Sequence, residues 1–132
     1  MSEGFSLEIV NPEKSFFSKK NVSEVVVPAL EGEMGILKDH ISIISFLKPG
    51  IVKVIIGSDQ EDFYVEDGIV EFKDNSLSIL TSSIFNIKNL DKDKINNSIA
   101  EAENELLKDE TDDQKKFLLN HKIEVLKSIS IN

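Results

Sequence analysis

Along the first two-thirds of the chain, apolar residues recur at every second position or gather in short β-branched runs. "FSLEIV" sets Phe5, Leu7 and Ile9 against Ser6 and Glu8, the period of two that predicts a strand with one buried face. "VSEVVVP", "ISIISFL" and "IVKVII" follow, and "DFYVEDGIVEF" and "LSIL" complete the set. Turn chemistry separates them. Pro12 in "NPEK" fixes φ, and "KPG" at 48–50 suits a type II turn with Pro then Gly at its centre. "GSDQ" and "KDNS" are further turns, and Asp67-Gly68 predicts a tight hairpin or a bulge. About seven short strands divided this way predict a β-sandwich or barrel.

After about Lys88 the period changes, and Pro and Gly vanish. Asp91 is placed to cap a helix whose apolar positions are Ile95, Ile99, Ala102 and Leu106, in steps of four, three and four. "KDETDD" interrupts it. Thr111 with Gln114 three residues on then predicts a capping box, with Asp112 and Asp113 at the positive helix end. The second helix carries Leu119, Ile123 and Leu126 on one stripe, with Phe117 and Val125 nearby. Each helix should span roughly 25 Å. The expected architecture is α+β: an N-terminal β-sandwich over 1–87, then an antiparallel two-helix hairpin over 88–132. Charge divides within the hairpin. Residues 91–113 hold nine acids against three Lys, a net of −6, and residues 114–132 hold four Lys against one Glu, a net of +3. The hairpin can pair with itself, and its second helix alone is a basic rod suited to an acidic partner.

Composition narrows the chemistry. With 132 residues the chain can bury a core without covalent staples, and it has no Cys for disulfides or thiolate metal sites. A net charge of −9 argues against nucleic acid as a partner. All 15 cations are Lys, so no guanidinium fork exists for phosphate or carboxylate. "MSEGFSLEIV" does not read as a signal peptide, and the apolar runs are too short to span a bilayer, so no direct membrane insertion is expected.

"EGEMGILKDH", Glu31 to His40, reads as a rigid acid-bearing loop, because its two glycines do not suit a core strand. Its possible uses are catalysis, a metal or a docking surface. His40 could pair with Glu31, Glu33 or Asp39, but nothing supplies an activated nucleophile or an oxyanion device. One His among flexible carboxylates is a non-specific metal set, and His121 reads as a surface or interhelical residue. No cofactor, catalytic residue or metal is expected. The thin apolar stripe of the helices predicts modest mutual burial and reversible docking.

The order of these motifs resembles the epsilon subunit of the bacterial F-type ATP synthase. "VSEVVVPALEGEMGILKDHISIISFLKPGIV" carries Pro28, Gly32, Gly35-Ile36-Leu37, His40 and the Leu47–Gly50 turn, and "FYVEDGIVEFKDNSLSILTSS" resembles the second block, with Gly68 and the strand ending in "ILTSS". The resemblance implies a non-catalytic rotor subunit of the central stalk. It would couple rotation of the c-subunit ring to ATP synthesis, at the cytoplasmic face of the bacterial inner membrane as a peripheral protein. It implies one sandwich face on the gamma subunit, and Glu31, Gly32, Glu33 and His40 against the c-ring. It also implies a hairpin that transiently enters the catalytic head of beta and alpha subunits and restrains ATP hydrolysis. Lys115, Lys116 and Lys122 would then meet an acidic segment of beta.

Two positions depart from the family pattern. Relatives that bind ATP at the hairpin open the first helix with hydrophobic-Asp-x-x-Arg-Ala, whereas this chain has Leu90-Asp91-Lys92-Asp93-Lys94-Ile95. Lys94 offers no bidentate fork and Asp93 repels phosphate, so no useful ATP binding is expected there. Asp67 stands where the family often has Gly, which implies a changed turn. A competing reading is a free-standing sandwich that binds a small ligand under a helical lid, which an apolar cavity inside the sandwich would favour. An enzyme would need a polar cleft that the sequence does not supply.

Overall fold

The computed structural model describes residues 4–12, 14–108 and 112–129. The chain divides into two compact units, 1–86 and 87–132.

The first unit holds ten strands: β1 Phe5–Asn11, β2 Lys14–Val22, β3 Glu24–Ala29, β4 Gly32–Leu37, β5 Ile43–Leu47, β6 Gly50–Ile56, β7 Asp59–Val65, β8 Gly68–Lys73, β9 Ser76–Leu80 and β10 Ile84–Asn86. They pair in the order β10-β7-β6-β3-β5-β8-β9-β1-β2, with β4 added on β3. The pairing is antiparallel except that β1 runs parallel to β9, Leu7 opposite Leu77 and Ile9 opposite Ile79. The sheet folds over a shared core to make a β-sandwich. Alternation puts Phe5, Leu7 and Ile9 inside from β1, Val25 and Val27 from β3, Val52 and Val54 from β6, Val70 and Phe72 from β8, and Leu77 and Ile79 from β9. Each such side chain contributes about 1.5–3 kcal/mol by leaving water. Phe5 meets Phe72 edge to face at 5.5 Å between ring centroids, the arrangement that aligns the positive ring edge with the negative face.

Three strands exceed the sequence expectation. β2 carries "KSFFSKKNV", too polar to show alternation, and it is the terminal strand of the pairing order, where one edge stays unpaired. β10 has only three residues. β4 differs most from the expectation, since "GEMGIL" has the composition of a loop. It forms a regular antiparallel ladder with β3, Glu24 opposite Leu37 through Ala29 opposite Gly32. Only Ile36 of β4 is fully buried. A ladder satisfies the backbone whatever the side chains, so a peripheral strand needs few apolar residues.

Two expected turns take other forms. Gly50 does not have the positive φ that a type II turn needs. It opens β6 opposite Val65, and a Cβ there would lie 2.4 Å from the Pro28 Cβ. Glycine is required at 50 by close packing, not by turn geometry. Asp67-Gly68 makes neither a hairpin nor a bulge within one ladder. β7 pairs with β6 and β10, while β8 pairs with β5 and β9, so residues 66–67 carry the chain across between separate ladders. At Asp74-Asn75 both residues have positive φ, 51° and 58°, and the expected turn joins β8 to β9.

The second unit is a helical hairpin, α1 Lys92–Leu106 and α2 Asp113–Ser128, preceded by a 3-10 turn at Ile87–Asn89. Asp91 caps α1, its carboxylate accepting the Lys94 N–H at 2.7 Å. The cap of α2 is Asp112, which accepts the Lys115 N–H at 2.7 Å. Thr111, the expected cap, lies outside the described residues. Ile95, Ala102, Ile123 and Leu126 are buried, as their spacing requires. No helix among the described residues is long and apolar enough to cross a membrane.

Candidate functional site

The residues drawn together by sequence at 31–40 do not share one place. Leu30 and Glu31 form the turn between β3 and β4. Gly32 follows with φ +143°, a conformation that side chains disfavour, and Glu31 and Glu33 are both exposed at this tip. β4 then carries the chain away over roughly 17 Å, at ~3.3 Å per residue. His40 lies beyond its far end. Asp39, at φ 68°, turns the chain there, and its N–H donates to the Asn75 Oδ1 at 2.7 Å while Asn75 Nδ2 donates back to Asp39 Oδ1 at 2.9 Å. His40 Nδ1 donates to the Ile41 carbonyl at 2.7 Å, and its ring meets Phe72 edge to face at 5.9 Å. Glu31, Gly32 and Glu33 therefore make one acidic tip, and His40 is a half-buried residue of the opposite end.

Beside the acidic tip lies a surface that the sequence reading left unnamed. Phe46 of β5 stands opposite Ile69 of β8, which stands opposite Leu80 of β9. All three point outward, exposed by 60%, 41% and 45% respectively. Ile44, two residues before Phe46, extends this row, and Leu30 joins it through its N–H bond to the Phe46 carbonyl at 2.9 Å. Leu30, Phe46, Ile69 and Leu80 border a hollow of about 560 Å³ that Pro12 and Gly68 help to line. One rim of the hollow is polar and firmly tied. Thr81, buried, donates its hydroxyl to the Asp67 carbonyl at 2.7 Å, and the Asp67 carboxylate accepts the Ser82 hydroxyl at 2.7 Å and the Ser82 N–H at 3.1 Å. Asp67 thus holds the β7–β8 crossing to the segment after β9. The signal for this surface is present in "ISIISFL", where Ile43 and Leu47 are apolar on one face and Ile44 and Phe46 on the other. A strand with water on one face does not need both.

The three lysines expected to act together on α2 are divided by helical geometry. Lys115 and Lys122, seven residues apart, share one edge of the helix, and Lys116 is rotated about 100° from Lys115. Lys115 Nζ lies 3.0 Å from Glu105 Oε1 of α1, and Lys108 Nζ lies 3.2 Å from the other oxygen. Hydrogen bonds from Lys115 first and Lys108 second hold the Glu105 carboxyl below the usual carboxylate range. On the opposite side of α2 the Phe117 and His121 rings stack at 6.3 Å, with Phe117 57% exposed. At the start of α1 the Asp91 carboxylate is occupied as a helix cap.

Elsewhere, burial and then the Glu66 charge push the Tyr64 phenol well above its usual range, and its hydroxyl donates to Glu66 Oε2 at 3.2 Å. Among the described residues no three His, Asp or Glu side chains gather in a way that could hold a metal ion.

Residues 4–87 match the family described as "ATP synthase, Delta/Epsilon chain, beta-sandwich domain". Over 98% of its length the chain is 64% identical to the ATP synthase epsilon chain of Pelagibacter ubique (strain HTCC1062), all of which is covered. A chain of the Euglena gracilis mitochondrial ATP synthase, solved as OSCP/F1/c-ring in rotational state 1, superposes with a TM-score of 0.75 at 20% identity, covering 95% of this chain and 78% of that one. A chain of the Tetrahymena thermophila mitochondrial ATP synthase central stalk and c-ring superposes with a TM-score of 0.72 at 18% identity, covering 95% and 96%.

Proposed function

The chain belongs to the ATP synthase Delta/Epsilon chain family, and from that premise we propose that it is a rotor subunit of the central stalk, without an active site of its own. It would join the gamma subunit, rest on the c-subunit ring and turn with both, passing torque to ATP synthesis through a rigid β-body. The observation that carries this is 64% identity to an epsilon chain over nearly the whole length of both, together with an apolar surface and an acidic tip side by side on that body.

The exposed row Ile44, Phe46, Ile69 and Leu80 is the face we assign to gamma, because a directly opposed apolar row of this size gains by being covered. The tip at Glu31, Gly32 and Glu33 is assigned to the polar loops of the c-ring, since it is exposed and borders that row. His40 is not part of it. In this role the protein would sit peripherally, at the cytoplasmic face of the bacterial inner membrane. A sandwich filled by its own side chains, with an apolar hollow that opens on the outside, supports this reading over a ligand-binding module.

The helical hairpin would restrain ATP hydrolysis by reaching into the head of alpha and beta subunits, with the lysine edge of α2 against carboxylates of beta. ATP itself is not expected to bind at Asp91 and Lys94. The cap commits the Asp91 carboxylate, and Lys94 offers no fork for phosphate. The test of the function is affinity purification of the tagged full chain from its native membranes. Recovery of gamma and c-subunits in stoichiometric amount is expected, and a chain that emerges without gamma would overturn the assignment.

A further inference from the structure

The two helices of the hairpin oppose each other in charge as well as in direction. Lys115 opens α2 and is drawn onto α1 by Glu105, near the end of that helix. The Glu105 carboxylate also holds Lys108, so both of its oxygens are engaged. Because Lys122 lies two helical turns beyond Lys115, it belongs to the same edge of α2, and it is half-buried there. Leu126, buried, continues this side, while the exposed Phe117 lies on the other. The edge that carries Lys115 and Lys122 is therefore the one that the closed hairpin sets against α1. An acidic protein surface that approached Lys115 would compete with Glu105 for it.

We propose that the acidic end of α1 is an internal decoy for the lysine edge of α2. Glu105 presents to Lys115 the same chemistry, a carboxylate pair of oxygens, that an acidic partner would present, and so competes with that partner for one cation. The strength of this contact sets how often the hairpin parts and offers its lysines outward. The partner is an acidic protein surface, and its placement in the catalytic head rests on the function proposed above. Because Glu105 and Lys115 both remain partly in water, the competition is a modest one and adjustable by salt.

The chain has no Cys, so two introduced ones, at the exposed Asn97 and Asn120, are the only attachment points for spin labels. Distances between the labels in the isolated full chain report parting of the helices. Glu105→Gln keeps the shape and removes the charge, and it should raise the parted population roughly two- to fivefold, the range open to an exposed ion pair. Reversing the pair, Glu105→Lys with Lys115→Glu, should restore the closed distances, a rescue that a mere packing role would not give. In the assembled enzyme Glu105→Gln should strengthen inhibition of ATP hydrolysis by a similar factor. Unchanged distances for Glu105→Gln, or no rescue by the reversed pair, would overturn the decoy. Wider distances with unaltered hydrolysis would keep the decoy as the clamp of the hairpin and overturn only the acidic partner in the head.

Discussion

Replacing Phe46 by Ser separates the role of the apolar row from that of the core. Phe46 leaves 60% of its surface in water. A Phe side chain offers 150–250 Å² in all, so full coverage would hide roughly 90–150 Å² more. At ~25 cal/mol per Å² this corresponds to about 2–4 kcal/mol. Ordering of side chains at the new interface opposes part of it, so the lower end is expected, about 2 kcal/mol, or ~30-fold in affinity. Folding should barely register the change. The ring is not part of the buried core, and what the isolated chain loses is a cross-strand pair with Ile69, worth under ~1 kcal/mol. Titration calorimetry of the full chain into the isolated gamma subunit, beside urea unfolding of the free chain, reads both quantities. Leu107→Ser is the control, since Leu107 is 80% exposed but lies at the end of the first helix and not on the row. Binding by Phe46→Ser within threefold of the unaltered chain would refute the assignment of this face to gamma. So would an equal loss in Leu107→Ser.

Thr81→Val keeps the shape of a buried side chain but removes the hydroxyl's bonds to the Asp67 and Ser83 carbonyls, and it should cost about 0.5–1.5 kcal/mol in urea unfolding. Acid should part the hairpin before it unfolds the sandwich. Glu105 is held below the ordinary carboxylate range, so its ion pair contributes fully above that range and is lost as the pH falls through the lowered value. Label distances measured from neutral pH down to about pH 3 should widen in the unaltered chain and stay flat in Glu105→Gln. Removal of residues 87–132 should leave a cooperatively unfolding β-body that still binds gamma, because the core residues from Phe5 to Ile84 all lie within the first unit. A molten truncated chain, judged by near-ultraviolet circular dichroism, would contradict that.

How far each feature could be read in advance follows from where its residues spend their side chains. β1, β3, β6 and β9 bury one face, and burial imposes a period that survives in the sequence: Phe5, Leu7 and Ile9, or Leu77 and Ile79. The helices are legible for the same reason, through Ile95 and Ala102, Ile123 and Leu126, and Asp91 announced the first of them by the chemistry of its cap. β4 was hidden because a ladder holds it. Main-chain bonds to β3 are indifferent to side chains, so glycine at 32 and 35 looked like loop composition. Gly50 misled for a related reason. Glycine serves both positive φ and close approach, and only the position of Pro28, distant in sequence, decides between them.

The candidate site obeys a different rule. A contact surface made from a strand uses the face that folding leaves free, so its residues interleave with core residues and blur the alternation that would reveal them. In "ISIISFL" the core claims Leu47 and packs against Ile43, and the outward face holds Ile44 and Phe46. Read alone, the run is only a very apolar strand. Once β5 has water on one side, the second apolar set lacks a folding reason within the chain, which is why the proposal gives that face to a partner. The lysines of α2 show the same logic reversed. Their number suggested one cationic face, but a helix turns 100° per residue, so adjacent Lys115 and Lys116 diverge while Lys115 and Lys122 converge on the edge that Glu105 already holds. Charge read from sequence gives the capacity for an acidic partner. The pairing of that charge inside the hairpin decides when the capacity is available.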